Sequence, residues 1–110
     1  MDEHIVGPDL VLTTETEGDR TVIAIKGELD AYTAPALEDQ IATLTAGEAP
    51  TVVLDLSETG FLDSSGLRAI LTAHRKLTAA QGTLLLRTPS EPVTRLLEIT
   101  GLTDHFRVDG

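Results

Sequence analysis

Asp63, Ser64, Ser65 and Gly66 stand side by side in the stretch Leu54 to Leu71, LDLSETGFLDSSGLRAIL, where a short apolar run gives way to an amphipathic one. Two hydroxyls between an acid and a glycine could cap a helix, act as nucleophiles, or accept a phosphoryl group. Capping is the simplest use, since Asp and Ser oxygens accept bonds from the free N–H groups of a first helical turn, at roughly 1 kcal/mol apiece. A single cap has no need of two hydroxyls and a glycine. Gly66 costs roughly 1 kcal/mol relative to Ala in a helix and leaves room for another backbone or a cofactor to come close. A phosphoryl group on either serine would sit where the helix dipole and free N–H groups favour an anion. It would bring roughly −1.5 to −2 charge beside Asp63, with Glu28 and Asp30 near if the strand ends share one edge of a sheet. Repulsion from those carboxylates would expel any partner seated against a neutral serine. The chemistry suits a binding switch, and spacing alone does not choose between Ser64 and Ser65.

Nucleophilic catalysis needs a base within about 3 Å of the hydroxyl. His4 lies near the chain start, His74 falls two turns or more into the helix that Ser64 opens, and His105 lies close to the chain end. The G-x-S-x-G elbow is absent, because the residues read LDSSG. His74 reads instead as a last-turn cation with Arg75 and Lys76, and His105 as an ordinary strand residue. Histidines this scattered, with no cysteine in the chain, make no metal site. Neither G-x-x-x-x-G-K-[ST] nor G-x-G-x-x-G occurs, so no phosphate-cradling loop is present. Glu15 with Glu17 and Glu28 with Asp30 read as solvated turn charges. No catalytic residue, metal or cofactor is expected.

The elements that must position these groups come from a chain of 110 residues, long enough for one domain and too short for two. Hydrophobic residues make up 41% and charged residues 24%, which is too apolar for a disordered acidic chain. A net charge of −10 argues against nucleic acid and anionic membrane surfaces as partners, since both are bound by clustered Lys and Arg. Tyr32, Phe61 and Phe106 are the only aromatics, too few for a base-stacking platform. No apolar run approaches the roughly 20 residues of a membrane span, and the start has no leader pattern, so a cytoplasmic protein is expected.

Residues 1–8, ending in Gly7 and Pro8, read as a flexible tail. Leu10 to Thr16 and Thr21 to Lys26 form a hairpin pattern around Glu17, Gly18 and Asp19. Thr51 to Leu56 and Thr83 to Leu86 are apolar runs of the kind buried on both faces of a parallel sheet. Leu37, Ile41 and Leu44 have helical spacing after Thr33 and Pro35; Leu67, Ile70, Leu71 and Leu77 line one side of a second helix that Gly82 stops. A third helix starts at Ser90 with Glu91 and Pro92, presents Val93, Leu96 and Leu97, and ends at Gly101 with Leu102 as its apolar C-terminal contact. His105 to Val108 closes the chain as a strand. The expected architecture is one small α/β domain, residues 1–110, with a mixed, mostly parallel sheet, flanking helices and the order β-β-α-β-α-β-α-β.

LDLSETGFLDSSGL, together with IKGELDAYTAPAL from Ile25 to Leu37 and TRLLEITGL from Thr94 to Leu102, resembles the STAS domain family, in particular its bacterial anti-sigma factor antagonists. The likeness runs from about Leu10 to Val108. It implies that the first serine of DSSGL, here Ser64, accepts a phosphoryl group from an anti-sigma factor that is itself an ATP-dependent serine kinase. The unphosphorylated form would bind that kinase and free the sigma factor; the phosphorylated form would let go, and a serine phosphatase would reset the cycle. Asp63 and Ser65 match the neighbours of that serine, and Asp30 of GELD matches an acidic loop residue beside it. The partner surface expected is Asp30, Asp63, Ser64, Ser65, Gly66 and Arg68, while Leu67, Ile70, Leu71 and Leu77 face the sheet. The same resemblance also admits a STAS accessory or scaffold subunit of a transport or stress-sensing complex, in which the serines are only helix caps.

Overall fold

The computed structural model describes residues 2–44 and 49–108. The hairpin is formed by β2 (Leu10–Glu17) and β3 (Arg20–Leu29), which pair antiparallel with Glu17 opposite Arg20. Gly18 takes φ 68° in the turn between them, the left-handed region that glycine enters without strain. α1 (Ala34–Leu44) then leads to β4 (Thr51–Asp55), which runs parallel to the first half of β3. β5 (Thr59–Leu62) precedes α2 (Ser64–Ala79); β6 (Thr83–Arg87) lies parallel to β4; α3 (Glu91–Thr100) and β7 (Arg107–Val108) complete the chain. With β1 (Asp2–Gly7) the sheet order is β1-β2-β3-β4-β6-β7, and β5 pairs with β3 beyond the end of β4.

Strand alternation sends Leu12, Ile23, Ile25, Leu54 and Leu86 to one face of the sheet, where Leu37 and Ile41 of α1 and Ile70 and Leu77 of α2 meet them in a single buried cluster. Val93 and Leu97 of α3 join it. Each such side chain fully removed from water contributes roughly 1.5–3 kcal/mol, so this cluster is what holds the helices to the sheet. On the opposite face Glu17 accepts hydrogen bonds from Arg20 (3.0 Å) and from both terminal nitrogens of Arg87 (2.9 and 3.2 Å). The ion pair links β2 to β6 across the two strands between them. These bonds, from Arg87 first and Arg20 second, hold the Glu17 carboxyl at a pKa of about 2.

The fold class, hairpin and helices follow the expected pattern, with differences at four places. Asp2–Gly7 is a strand where a tail was expected, pairing Asp2 with Thr14, Ile5 with Val11 and Gly7 with Leu10; Met1 lies outside the described residues. Most of its side chains stay exposed, so it carries no apolar alternation, and it forms because the outer edge of β2 offers unpaired backbone groups a few residues away. β5 occupies what read as a connection. The last strand is only Arg107–Val108, because His105 is drawn into a turn by a bond from its N–H to the Leu102 carbonyl (3.0 Å). The α3 start also differs in detail, since the Ser90 hydroxyl donates to the Thr59 carbonyl (2.5 Å) instead of capping its own helix. At the other end Gly101 takes φ 72° and Leu102 N–H reaches the Leu97 carbonyl (2.8 Å), the glycine stop that the sequence predicts.

Candidate functional site

The site is built where β3 changes partners. From Arg20 to Ala24 this strand pairs with β4, and after a slip at Gly27 it pairs with β5 through Glu28–Phe61 and Leu29–Leu62. Gly27 sits at φ 120°, and a Cβ there would collide with the Asp9 carbonyl, so only glycine permits the bend. Glu28 N–H bonds that same carbonyl at 2.7 Å. Buried Thr59 fixes the other strand, its hydroxyl donating to the Ile25 carbonyl at 2.7 Å. Both strands therefore end on one rung, Leu29 opposite Leu62, and each is followed at once by an aspartate. GELD and GFLD are two copies of one local pattern lying side by side.

Each aspartate then starts a helix. The Asp30 carboxylate, through Oδ1, accepts from Tyr32 N–H (2.9 Å) and Thr33 N–H (3.1 Å), while the Asp30 carbonyl accepts from Ala34 N–H (2.8 Å). Thr33 is buried; its Oγ1 in turn accepts from Asp30 N–H (2.9 Å) and donates to the Glu28 carbonyl (3.0 Å). Asp63 has extended backbone and caps α2, its Oδ1 accepting from Gly66 N–H at 2.9 Å. The acidic loop and the serine turn are thereby rigid by the same device.

Gly66 answers the question its position raised. Backbone, not a cofactor, takes the space: a Cβ on Gly66 would overlap the Leu29 carbonyl oxygen and lie 2.6 Å from Leu62 Cδ1. The first turn of α2 rests directly on the end of β3, and Asp63 N–H reaches the Leu29 carbonyl at 3.4 Å. Gly66 is itself buried, so of the expected partner surface it supplies the close approach and not a contact. Ser64 is exposed at the start of the helix, Ser65 and Asp63 are half-buried, and Arg68 is exposed one turn on. Asp30 is half-buried beside this turn, Glu28 and Tyr32 are exposed, and Tyr32 is 93% accessible.

The apolar side of α2 mostly faces the core as expected: Leu67, Ile70 and Leu77 are buried. Leu71 is only half-buried. His74 lies ten positions from Ser64, about 15 Å along the helix axis, too far to serve as its base. Burial, helped by the charge of His105, lowers the His74 pKa below the usual histidine value, which works against the cation expected there. His105 stands against it, with ring centroids 5.1 Å apart. Among the described residues no three histidine, aspartate or glutamate side chains converge as a metal site, and no helix is long and apolar enough to cross a membrane. Gly27, Thr33 and Thr59 shape the site and were not singled out by sequence reasoning for that role; GELD and GFLD, repeated 33 positions apart, were the available signal.

Three comparisons bear on this geometry. The STAS domain family model matches residues 11–109. The chain is 37% identical over 94 residues to the anti-sigma-B factor antagonist of Listeria monocytogenes serovar 1/2a, covering 86% of this chain and 82% of that one. Among solved structures it resembles the anti-sigma factor antagonist SpoIIAA in its unphosphorylated form, with TM-score 0.76, 27% identity and coverage of 90% and 88%. The Bacillus cell fate determinant SpoIIAA in the phosphorylated form matches with TM-score 0.70 and 26% identity, covering 90% and 91%. A mixed sheet ending in two paired strand tips, a glycine-seated helix start bearing DSSGL, and a family match along nearly the whole length make this chain a member of the STAS domain family.

Proposed function

We propose that the chain is an anti-sigma factor antagonist that works as a phosphorylation-controlled binding module, with no chemistry of its own. In this reading the unphosphorylated protein binds an anti-sigma factor that is also a serine kinase, and so frees the sigma factor. The kinase transfers the terminal phosphoryl group of ATP to the Ser64 oxygen; the modified protein is released, and a serine phosphatase restores it. The contact surface is the exposed part of Asp30, Asp63, Ser64, Ser65 and Arg68, held in place by Gly66.

The observation that carries the proposal is the placement of an exposed serine at a helix start directly beside two aspartate-capped strand tips. Exposure supports Ser64 over Ser65 as the acceptor, since Ser64 is exposed and Ser65 is half-buried. The free N–H groups of the first turn tolerate a phosphate there, so the fold survives modification. The added charge is felt by a partner packed against the turn and by the acidic loop.

The test is affinity capture of the cognate kinase from the source organism with wild type, Ser64→Asp and Ser64→Ala. Wild type and Ser64→Ala should hold the kinase, and Ser64→Asp should bind at least about tenfold more weakly, one carboxylate supplying only part of a phosphate's charge. Ser64→Ala should resist ATP-dependent release. Full phosphorylation of Ser64→Ala would move the acceptor to Ser65. Equal capture of one membrane-transport ATPase by all three proteins would instead make this a constitutive subunit.

A further inference from the structure

A cleft lies at the far end of α2 from Ser64, between the C-terminal half of that helix and the turn that leads into β7. One part, of about 540 Å3, is lined by Leu71, His74, Arg75, Thr78, Ala79 and His105. A second part, of about 240 Å3, shares His74, Thr78 and His105 and continues past Thr83 to Arg107. The first size is in the range that takes a small organic molecule. Its construction is specific: His74 and His105 stand 5.1 Å apart, and both rings meet buried Phe106 edge-on, at 5.7 and 5.0 Å.

The charge pattern around the cleft runs against that of the chain. The net charge is −10, yet no carboxylate lines either part. Four of the cations elsewhere are answered locally, Arg20 and Arg87 by Glu17, Lys26 by Glu58, and Arg95 by Glu91. Among the described residues no carboxylate pairs with Arg75 or Arg107; Arg75 donates only to the Thr72 hydroxyl, at 3.3 Å. Two unanswered guanidinium groups, two imidazoles and two threonines thus flank a patch made by Leu71 and Ala79. Guanidinium forks match carboxylate and phosphate oxygens, while the Leu71 side of the cleft offers only apolar contact.

We propose that this cleft binds a free amphipathic organic anion, an apolar body ending in one carboxylate or phosphate, with the head toward Arg107, Arg75 and the histidine pair and the body over Leu71 and Ala79. The burial that keeps His74 toward its neutral form leaves it able to donate one ring N–H without placing a third fixed positive charge in the cleft. The cleft begins at Leu71, seven positions or about 10 Å along the helix from Ser64, so it is a separate site from the switch surface.

The experiment is a titration of the isotope-labelled full chain, followed by amide chemical shifts, with octanoate, octyl phosphate, 1-octanol and acetate. Octanoate or octyl phosphate should give saturable shifts centred on Leu71, Arg75, Ala79, His105 and Arg107, at least about tenfold tighter than octanol or acetate. Arg75→Gln and Arg107→Gln are surface changes, and a urea transition for each establishes that the variant is folded; together they should weaken the anion about tenfold or more. Equal affinity for octanoate and octanol, tight binding of acetate alone, shifts centred elsewhere, or unchanged affinity in the double variant would each overturn the proposal. So would co-sedimentation with phosphatidylglycerol vesicles in the absence of any binding to the free octyl anions.

Discussion

Gly66→Ala pits two local effects against each other, and the structure says which wins. In an open helix the change would stabilise by roughly 1 kcal/mol, because glycine carries the larger backbone entropy cost. Here the new Cβ would overlap the Leu29 carbonyl oxygen and stand 3.1 Å from its carbon and 2.6 Å from Leu62 Cδ1. Carbon atoms rest at about 3.5–4.0 Å, so the helix start must withdraw by roughly 0.5–1 Å. The Leu62 methyl can rotate aside. The Leu29 carbonyl cannot, because its strand is fixed on one side by β2 and on the other by β5. Overpacking of this kind costs about 1–3 kcal/mol, leaving a net loss of up to about 2 kcal/mol once the helix gain is deducted. In urea the midpoint should fall with little change in slope, and the thermal midpoint should drop by about 4–8 °C per kcal/mol. The same withdrawal lifts Ser64 away from the Asp30 loop, so affinity for the proposed kinase partner should fall further than stability alone explains. Gly60→Ala is the control, since nothing lies within 4 Å of its added Cβ. A Gly66→Ala protein as stable as wild type, with kinase binding intact, would refute the claim that the helix is seated on Leu29.

Thr33→Val removes the hydroxyl that bridges Asp30 N–H and the Glu28 carbonyl in a buried place; urea unfolding should show a loss of about 1–3 kcal/mol, and binding of the proposed kinase partner should weaken with it. The Glu17 carboxyl, held at about pKa 2, favours the folded state above its unfolded value near 4.5, and this contribution is lost as pH falls toward 2. Glu17→Gln should therefore flatten the acid limb of a stability-pH curve between about pH 4.5 and 2 and remove part of its salt dependence. His74 has the opposite preference: with its pKa lowered, the unfolded chain binds the proton more readily, so stability should decline as pH drops through about 6.5. Thermal midpoints of wild type and His74→Phe at pH 8 and pH 5 should diverge at the lower pH, where the variant loses less.

Residues buried by local alternation or helical spacing were readable from the chain alone. Leu10, Leu12, Ile23 and Ile25 mark the hairpin, Val52 to Leu54 and Leu84 to Leu86 the inner strands, and Asp63 and Gly101 the ends of helices. The features that escaped depend on partners distant in sequence. β1 is polar because its side chains are exposed, and β5 spans only four residues, one of them glycine, and exists because β3 outruns β4. The use of Gly66 was legible as a need for space, but the occupant of that space, a carbonyl 37 positions upstream, was not. His74 and His105 likewise look unrelated until the last turn folds back over α2.

The rung between Leu29 and Leu62 has a consequence for how such a protein can diversify. The offset between the acidic loop and the serine turn is inherited from a ladder of fixed spacing, and loop conformation contributes little to it. Ala31 and Tyr32, exposed on one side, and Arg68, exposed on the other, can then be exchanged freely to suit a new partner. Under the proposed switch, recognition can drift while the gauge that sets how strongly a phosphoryl charge is felt stays constant. Paralogous copies in one cell could thus acquire separate partners without each having to rebuild the trigger.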